Sequence, residues 1–224
     1  MLYQTELHDQ EQNIFGVYKS KFFEQNSHIF KHTFSIHSST KNKMIHFNPW
    51  HNIQAGEKSP QVVNAIIEIP KDSKHKFEMD KETGMLRLDR FLYSAVHYPG
   101  DYGFLPQTLW YDSDPIDIII LTQRPVYPMT LVSAKIIGVL RMFDGEEKDD
   151  KLIAVYDSDP RYEEIKDVGD IPKHTIAELK HFFETYKELQ GKKCKVMEIL
   201  GKDAAYKDVE EAQKMYQDKY KKDI

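Results

Sequence analysis

With 224 residues, 40% of them hydrophobic, the chain is long enough to bury one well-packed core and reads as a single domain with a short appendage. Acids and bases are mixed along it to a formal net charge of -5, which excludes the basic excess that a general nucleic-acid binder needs. The one cysteine, Cys194, excludes an internal disulfide and reads as an ordinary strand residue in a reducing compartment; no apolar run spans a bilayer, 131–140 being interrupted by Lys135, so a soluble cytoplasmic protein with no membrane partner is expected.

Residues 1–43 hold four histidines and many polar residues, with no proline and no clear period. They lack the compact apolar stretch of a secretory signal, and without arginine they make a poor mitochondrial transit peptide. They read as an N-terminal extension, disordered or not native, ahead of a domain over 44–224, with Met44 itself a candidate start. His28 and His32 have the i, i+4 spacing of a metal pair but lack the glutamate of the zinc-protease motif, so the spacing reads as chance. Beyond Met44, strands are predicted over 62–69, 76–79, 85–91, 117–121, 130–140 and 151–155, a barrel-like pattern. Asp80 to Gly84 reads as a hairpin loop whose glycine takes positive φ. Two amphipathic helices are predicted at the end. The first, 175–189, places Ile176, Leu179, Phe183 and Tyr186 on one face; the second, 204–221, does so with Val209, Ala212, Tyr216 and Tyr220.

Asp112-Ser113-Asp114-Pro115-Ile116-Asp117 packs three acids into six residues just before the apolar run 118–121. Pro115 stiffens the turn and removes a backbone donor, which lets the carboxylates converge. Two carboxylates about 4 Å apart repel by roughly 4 kcal/mol at an effective dielectric of about 20, so a fold tolerates them only with cations or protons present. Hard oxygen ligands point to magnesium, manganese or calcium. An EF-hand is excluded, since Asp117 stands where that loop needs glycine and Gln123 where it needs glutamate. On its own the cluster leaves a metal site and an Asp-rich surface turn both open. Asp157-Ser158-Asp159-Pro160 repeats its first four letters, continues into Arg161 without a third acid, and reads as a plain turn. Further charges add to the first cluster: Glu68 at a strand end, Lys76 and Glu78 on one strand face opposite Phe77, Arg90 after Asp89, and Asp144, Asp149 and Lys151 along a loop.

Together these residues resemble the family I soluble inorganic pyrophosphatases. The family signature (Asp, small, Asp, Pro, apolar, Asp, apolar) is met from Asp112 to Ile118. Colinear matches run through 66–70, 76–84, 89–91, Tyr98-Pro99, Tyr102-Gly103, 138–140, 144–151, His181 to Phe183 and Tyr186-Lys187, so the resemblance covers about residue 46 to the end. It implies a small closed five-stranded β-barrel of OB-like form, mainly β, flanked by two C-terminal helices. It implies hydrolysis of inorganic pyrophosphate to two phosphates by a metal-activated water, with several magnesium ions per site and no phosphoenzyme. Carried over, Asp112, Asp117 and Asp149 look like ligands of the tightest metal, Asp117 bridging to a second ion, and Asp114 like the general base. Glu68, Glu78 and Asp144 resemble the outer acids. Lys76, Arg90, Tyr102, Lys151, Tyr186 and Lys187 resemble the groups that grip the phosphoryl units, with Tyr98 behind them. A homo-oligomer, hexameric at this core length, is implied as well. Two rivals are weighed against this reading. An oligonucleotide-binding barrel conflicts with the acidic mouth, and a catalytically silent structural relative conflicts with the full set of acids and cations.

Overall fold

The computed structural model describes residues 47–221; the extension over 1–43 and the His28/His32 pair lie outside the described residues. A short helix, α1 (Pro49–Asn52), leads into nine strands: β1 (Val62–Ile69), β2 (His75–Met79), β3 (Leu86–Phe91), β4 (Asp101–Phe104), β5 (Asp117–Leu121), β6 (Leu131–Asp144), β7 (Glu147–Lys148), β8 (Lys151–Tyr156) and β9 (Cys194–Gly201). Helix α2 (Lys173–Thr185) precedes β9, and α3 (Lys202–Tyr220) follows it.

Five strands close on themselves. The order β1-β4-β5-β8-β6 returns to β1 through a β1–β6 ladder, so the wall has no open edge along that circuit. Its pairings are antiparallel except β5 with β8, which run parallel with Asp117 opposite Lys151. Closure brings β1 and β4 very close: a Cβ on Gly103 would stand 1.8 Å from the Ile66 carbonyl oxygen, so only glycine fits there. β2 and β3 form a separate hairpin, and β9 adds to the far half of β6.

Strand alternation gives the wall two apolar faces. Ile118, Ile120, Leu152 and Ala154 pack with Ala205, Val209 and Ala212 of α3. Ile119, Leu121, Ile153 and Val155 pack with Leu179, Phe182 and Phe183 of α2. Asp117 and Lys151 begin their strands on this second face, which sets them at one mouth of the barrel.

The predicted spans 62–69 and 117–121 coincide with β1 and β5, whereas β4, β7 and β9 lie outside every predicted strand. β4 is four residues long and includes Gly103, and β9 fully buries only Val196, so neither carries a clear alternation. Cys194 opens β9, as a strand residue. The first predicted helix ends too late, since α2 stops at Thr185; the chain then makes a 3-10 turn, Glu188–Gln190, ended by Gly191 at φ 71°, and Leu189 faces solvent. Ile176 is half-buried, and Tyr220, placed on the inner face of the second helix, is partly exposed against the Trp50 ring. Gly84 has φ +68°, as the hairpin loop requires, and a Cβ there would meet the Phe47 carbonyl oxygen at 2.8 Å. Among the described residues no helix is long and apolar enough to cross a membrane.

Candidate active site

At the barrel mouth lies a cavity of about 370 Å³ lined by every candidate residue: Glu68, Lys76, Glu78, Arg90, Tyr102, Asp112, Asp114, Asp117, Asp144, Asp149, Lys151, Tyr186 and Lys187. All but Tyr186 and Lys187 come from strands or the loops beside them. Glu68 is near the end of β1, Lys76 and Glu78 on β2, Arg90 on β3, Tyr102 on β4, Asp117 at the start of β5, Asp144 at the end of β6, and Lys151 at the start of β8. Tyr186 and Lys187 follow α2. Tyr98 is buried behind the wall, its ring 5.4 Å from that of Tyr102. Phe77, expected on the opposite face from Lys76 and Glu78, also lines the cavity; the ladder with β3 shifts register between Lys76 and Phe77.

The loop carrying Asp112 and Asp114 is fixed from within. The Trp110 amide donates to the Asp114 carbonyl at 2.7 Å, Asp112 Oδ1 accepts from the Asp114 amide at 3.1 Å, and Ser113 sits at φ 69°. The Ile116 amide donates to Thr108 Oγ1 at 3.1 Å. In the second copy, Asp159 caps a 3-10 turn, Pro160–Tyr162, and pairs with the Arg161 guanidinium at 2.7 Å. The following residue therefore decides the fate of the same four letters: Arg161 neutralises its aspartate within the turn, whereas Ile116 is buried and aims the loop at the mouth.

Inside the cavity, acids and cations alternate. Lys151 Nζ contacts Asp117 Oδ2 at 2.5 Å and also Asp149; Lys187 pairs with Asp144, Lys76 with Glu78, and Lys81 with Asp114. The Tyr102 hydroxyl donates to Asp117 Oδ2 at 2.5 Å. Burial raises the Glu68 carboxyl to about 8 against the pull of the Met79 amide, which donates to it at 2.6 Å. Burial and then the neighbouring Asp117 raise Asp112 to about 7, and burial also raises Asp117. Burial opposes the charge on Lys151, but Asp117 and Asp149 outweigh it and hold the ammonium protonated. Asp144 is likewise lowered, despite burial, by Lys187. Arg90 Nε is buried without a hydrogen-bond partner among the described residues, an orphaned donor on the cavity wall.

These observations bear on metal binding. Among the described residues no three acids already stand at coordinating distances, and the Lys151 ammonium occupies the space between Asp117 and Asp149. Hard oxygen donors whose protonation is favoured by mutual repulsion are nonetheless a donor set that fits a divalent cation, which relieves the same repulsion. The cavity wall also includes Trp50, Lys81, Glu147 and Lys192, which the sequence reading did not assign. Lys81 lay within the hairpin-loop motif and was visible in principle. Trp50 stands in no chemical motif, and only folding brings it near.

The inorganic pyrophosphatase family model matches residues 65–217. The chain is 47% identical over 173 residues to soluble inorganic pyrophosphatase 2 of Chlamydomonas reinhardtii, covering 77% of this chain and 90% of that one. It is 44% identical over 183 residues to soluble inorganic pyrophosphatase 4 of Arabidopsis thaliana, covering 82% and 85% respectively. Among solved structures, the inorganic pyrophosphatase from Thermus thermophilus superposes with a TM-score of 0.74 at 40% identity, over 76% of this chain and 99% of that chain.

Proposed function

The chain belongs to the inorganic pyrophosphatase family, metal-dependent hydrolases of pyrophosphate, and from that premise we propose that it cleaves pyrophosphate to two phosphates with magnesium as its metal and the cavity residues in distinct roles. Asp112, Asp117 and Asp149 would hold the tightest ion, with Asp117 shared with a second. Glu68, Glu78 and Asp144 would hold ions arriving with substrate, or their waters. Bound magnesium supplies Lewis acidity there, screening phosphoryl oxygens and lowering the pKa of water. The residues then divide the remaining work. Asp114, half-exposed at the rim, takes the proton of the attacking water at a carboxylate oxygen. Lys76, Arg90, Lys151 and Lys187 bind phosphoryl oxygens and meet the charge that develops on the leaving phosphate. Tyr102 and Tyr186, kept neutral by burial, donate hydroxyl protons to the same oxygens. No covalent intermediate is needed. The Cys194 thiol is raised to about 11 by burial and then by Asp144, so it is a poor nucleophile.

The observation that carries this reading is the pairing of cavity lysines with cavity acids. These acids would hold metal in place of their ammonium partners, and the lysines so freed would be available to grip substrate. The test is release of phosphate from pyrophosphate: turnover is expected with magnesium, none in excess chelator, and inhibition by calcium, whose larger and less regular shell misplaces the attacking water. Full turnover in chelator would remove the reading. We further propose a cytoplasmic homo-oligomer, a hexamer whose mass light scattering reads directly, and an extension over 1–43 that takes no part in catalysis.

A further inference from the structure

β7 aims its two side chains apart: Glu147 lines the cavity, while Lys148 turns away from it. Lys148 Nζ lies 4.6 Å from the centre of the Trp110 ring and 4.7 Å from that of Tyr111, and 3.4 Å from Asp150 Oδ2. Trp110 and Tyr111 immediately precede Asp112, and Asp150 immediately follows Asp149. One ammonium therefore joins, from behind, the two loops that carry these carboxylates.

Both loops border the paired strands β5 and β8, where Asp117 stands opposite Lys151, and on the side away from the cavity each has anchors of its own. Asp150 is almost wholly buried; it accepts from the Met142 amide at 3.1 Å and from Arg141 Nη1 at 2.7 Å, and Arg141 also donates to Asp208 of α3 at 3.0 Å. The Tyr111 hydroxyl donates to Glu211 of α3 at 2.5 Å. Among the side-chain contacts of described residues behind the cavity, that of Lys148 bridges one loop directly to the other.

We propose that Lys148 is a positioning residue that sets the spacing of Asp112 and Asp149 and so the affinity for the ion they share, an inference that rests on the reading of both as metal ligands. Groups standing behind metal ligands alter metal affinity by about 10- to 100-fold when removed. The sign of the effect separates positioning from simple charge. Removing a cation near an acidic cavity strengthens the attraction for a divalent ion, so a charge effect alone tightens binding. Loss of alignment weakens it.

The experiment is a calorimetric magnesium titration of the full chain and of Lys148→Met, which keeps the apolar stem. The expected result is a Kd raised about tenfold, restored by Lys148→Arg, with the melting midpoint in chelator unchanged. Tyr111→Leu, measured against Tyr111→Phe so that loss of the Glu211 contact cancels, removes one ring beneath the ammonium and should weaken binding less, and the same Phe-to-Leu step in the Lys148→Met background should weaken it no further. An unchanged or tighter Kd in Lys148→Met, or additive effects in the double variant, would overturn the proposal. Asp112→Asn and Asp149→Asn keep the failures apart: if both bind like wild type, the ligand assignment falls; if both weaken while Lys148→Met does not, only the positioning role falls.

Discussion

Lys151 is the most buried cation in the cavity, 1% exposed, and owes its charge to two aspartates. A buried ammonium held by two carboxylates is strongly destabilised when either is neutralised. This sharpens the contrast between Asp114 and Asp117. Asp114→Asn removes a half-exposed base and leaves the Lys151 cluster whole, so the rate should fall on the order of 10² to 10⁴ while magnesium affinity barely changes. Asp117→Asn removes a ligand and a partner of Lys151, so magnesium binding should weaken sharply and excess magnesium should restore part of the rate. Asp159→Asn should do neither, because among the described residues its carboxylate is engaged by the Arg161 turn. Magnesium titrations of the steady-state rate decide among them, with affinity followed by calorimetry; a severe defect in Asp159→Asn would mean that the wrong copy of the motif had been chosen. At this scale the site was legible because its charges stand in short, ordered motifs. The supports of Asp149 were not, because no sequence motif links Arg141, Asp150 and Asp208, and only folding buries Asp150 and Asp208 together.

The segment from Phe47 through α1 fastens the hairpin to the mouth. Asn48 caps α1, accepting from the Trp50 amide at 2.9 Å, and its side-chain nitrogen donates to the Lys81 carbonyl at 2.8 Å. Trp50 is buried, donates from its indole to the Thr108 carbonyl at 2.7 Å, and lines the cavity. A chain beginning at Met44 keeps all of this and should retain fold and activity. A chain beginning at Ala55 loses Trp50, and removal of a buried tryptophan costs about 3–5 kcal/mol. Its melting midpoint should drop well below that of the Met44 chain, and activity should drop with it as the Lys81 loop loses its anchor; equal melting of the two would show that the segment is not structural. Pattern located β1, β5, β6, β8 and the two C-terminal helices because each buries a continuous face; β9, as long as β1, fully buries only Val196 and escaped it. It missed β4, where backbone approach at Gly103 replaces side-chain alternation, and α1, whose four residues are too few to show a period.

For the whole molecule, the raised carboxyls make the metal-free fold acid-tolerant on one flank. Glu68 rises from 4.5 to about 8 and Asp112 from 3.8 to about 7 on folding. Below about pH 4 both states hold these protons. As pH climbs the unfolded chain releases them first, so stability is lost progressively and the loss is complete near pH 8. Asp144, lowered by Lys187 despite burial, acts in the opposite direction only as pH falls toward its own range. Urea midpoints measured in chelator from pH 5 to 8 should therefore decline, and saturating magnesium, which binds the ionised acids, should flatten the decline. A rising midpoint in chelator would contradict the raised carboxyls.

β6 has a further consequence for how the chain is made. One of its edges is shared by β1, against residues 131–135, and β9, against 138–144. The first partner precedes β6 in the chain, but Cys194, which faces Asp144, emerges 50 residues after it. Throughout that stretch of synthesis half of a long strand edge stays uncovered, the kind of surface that templates pairing between chains. A chain terminated before β9 should thus accumulate as aggregate rather than as a smaller barrel, which makes the segment from Cys194 onward a determinant of yield in the cell.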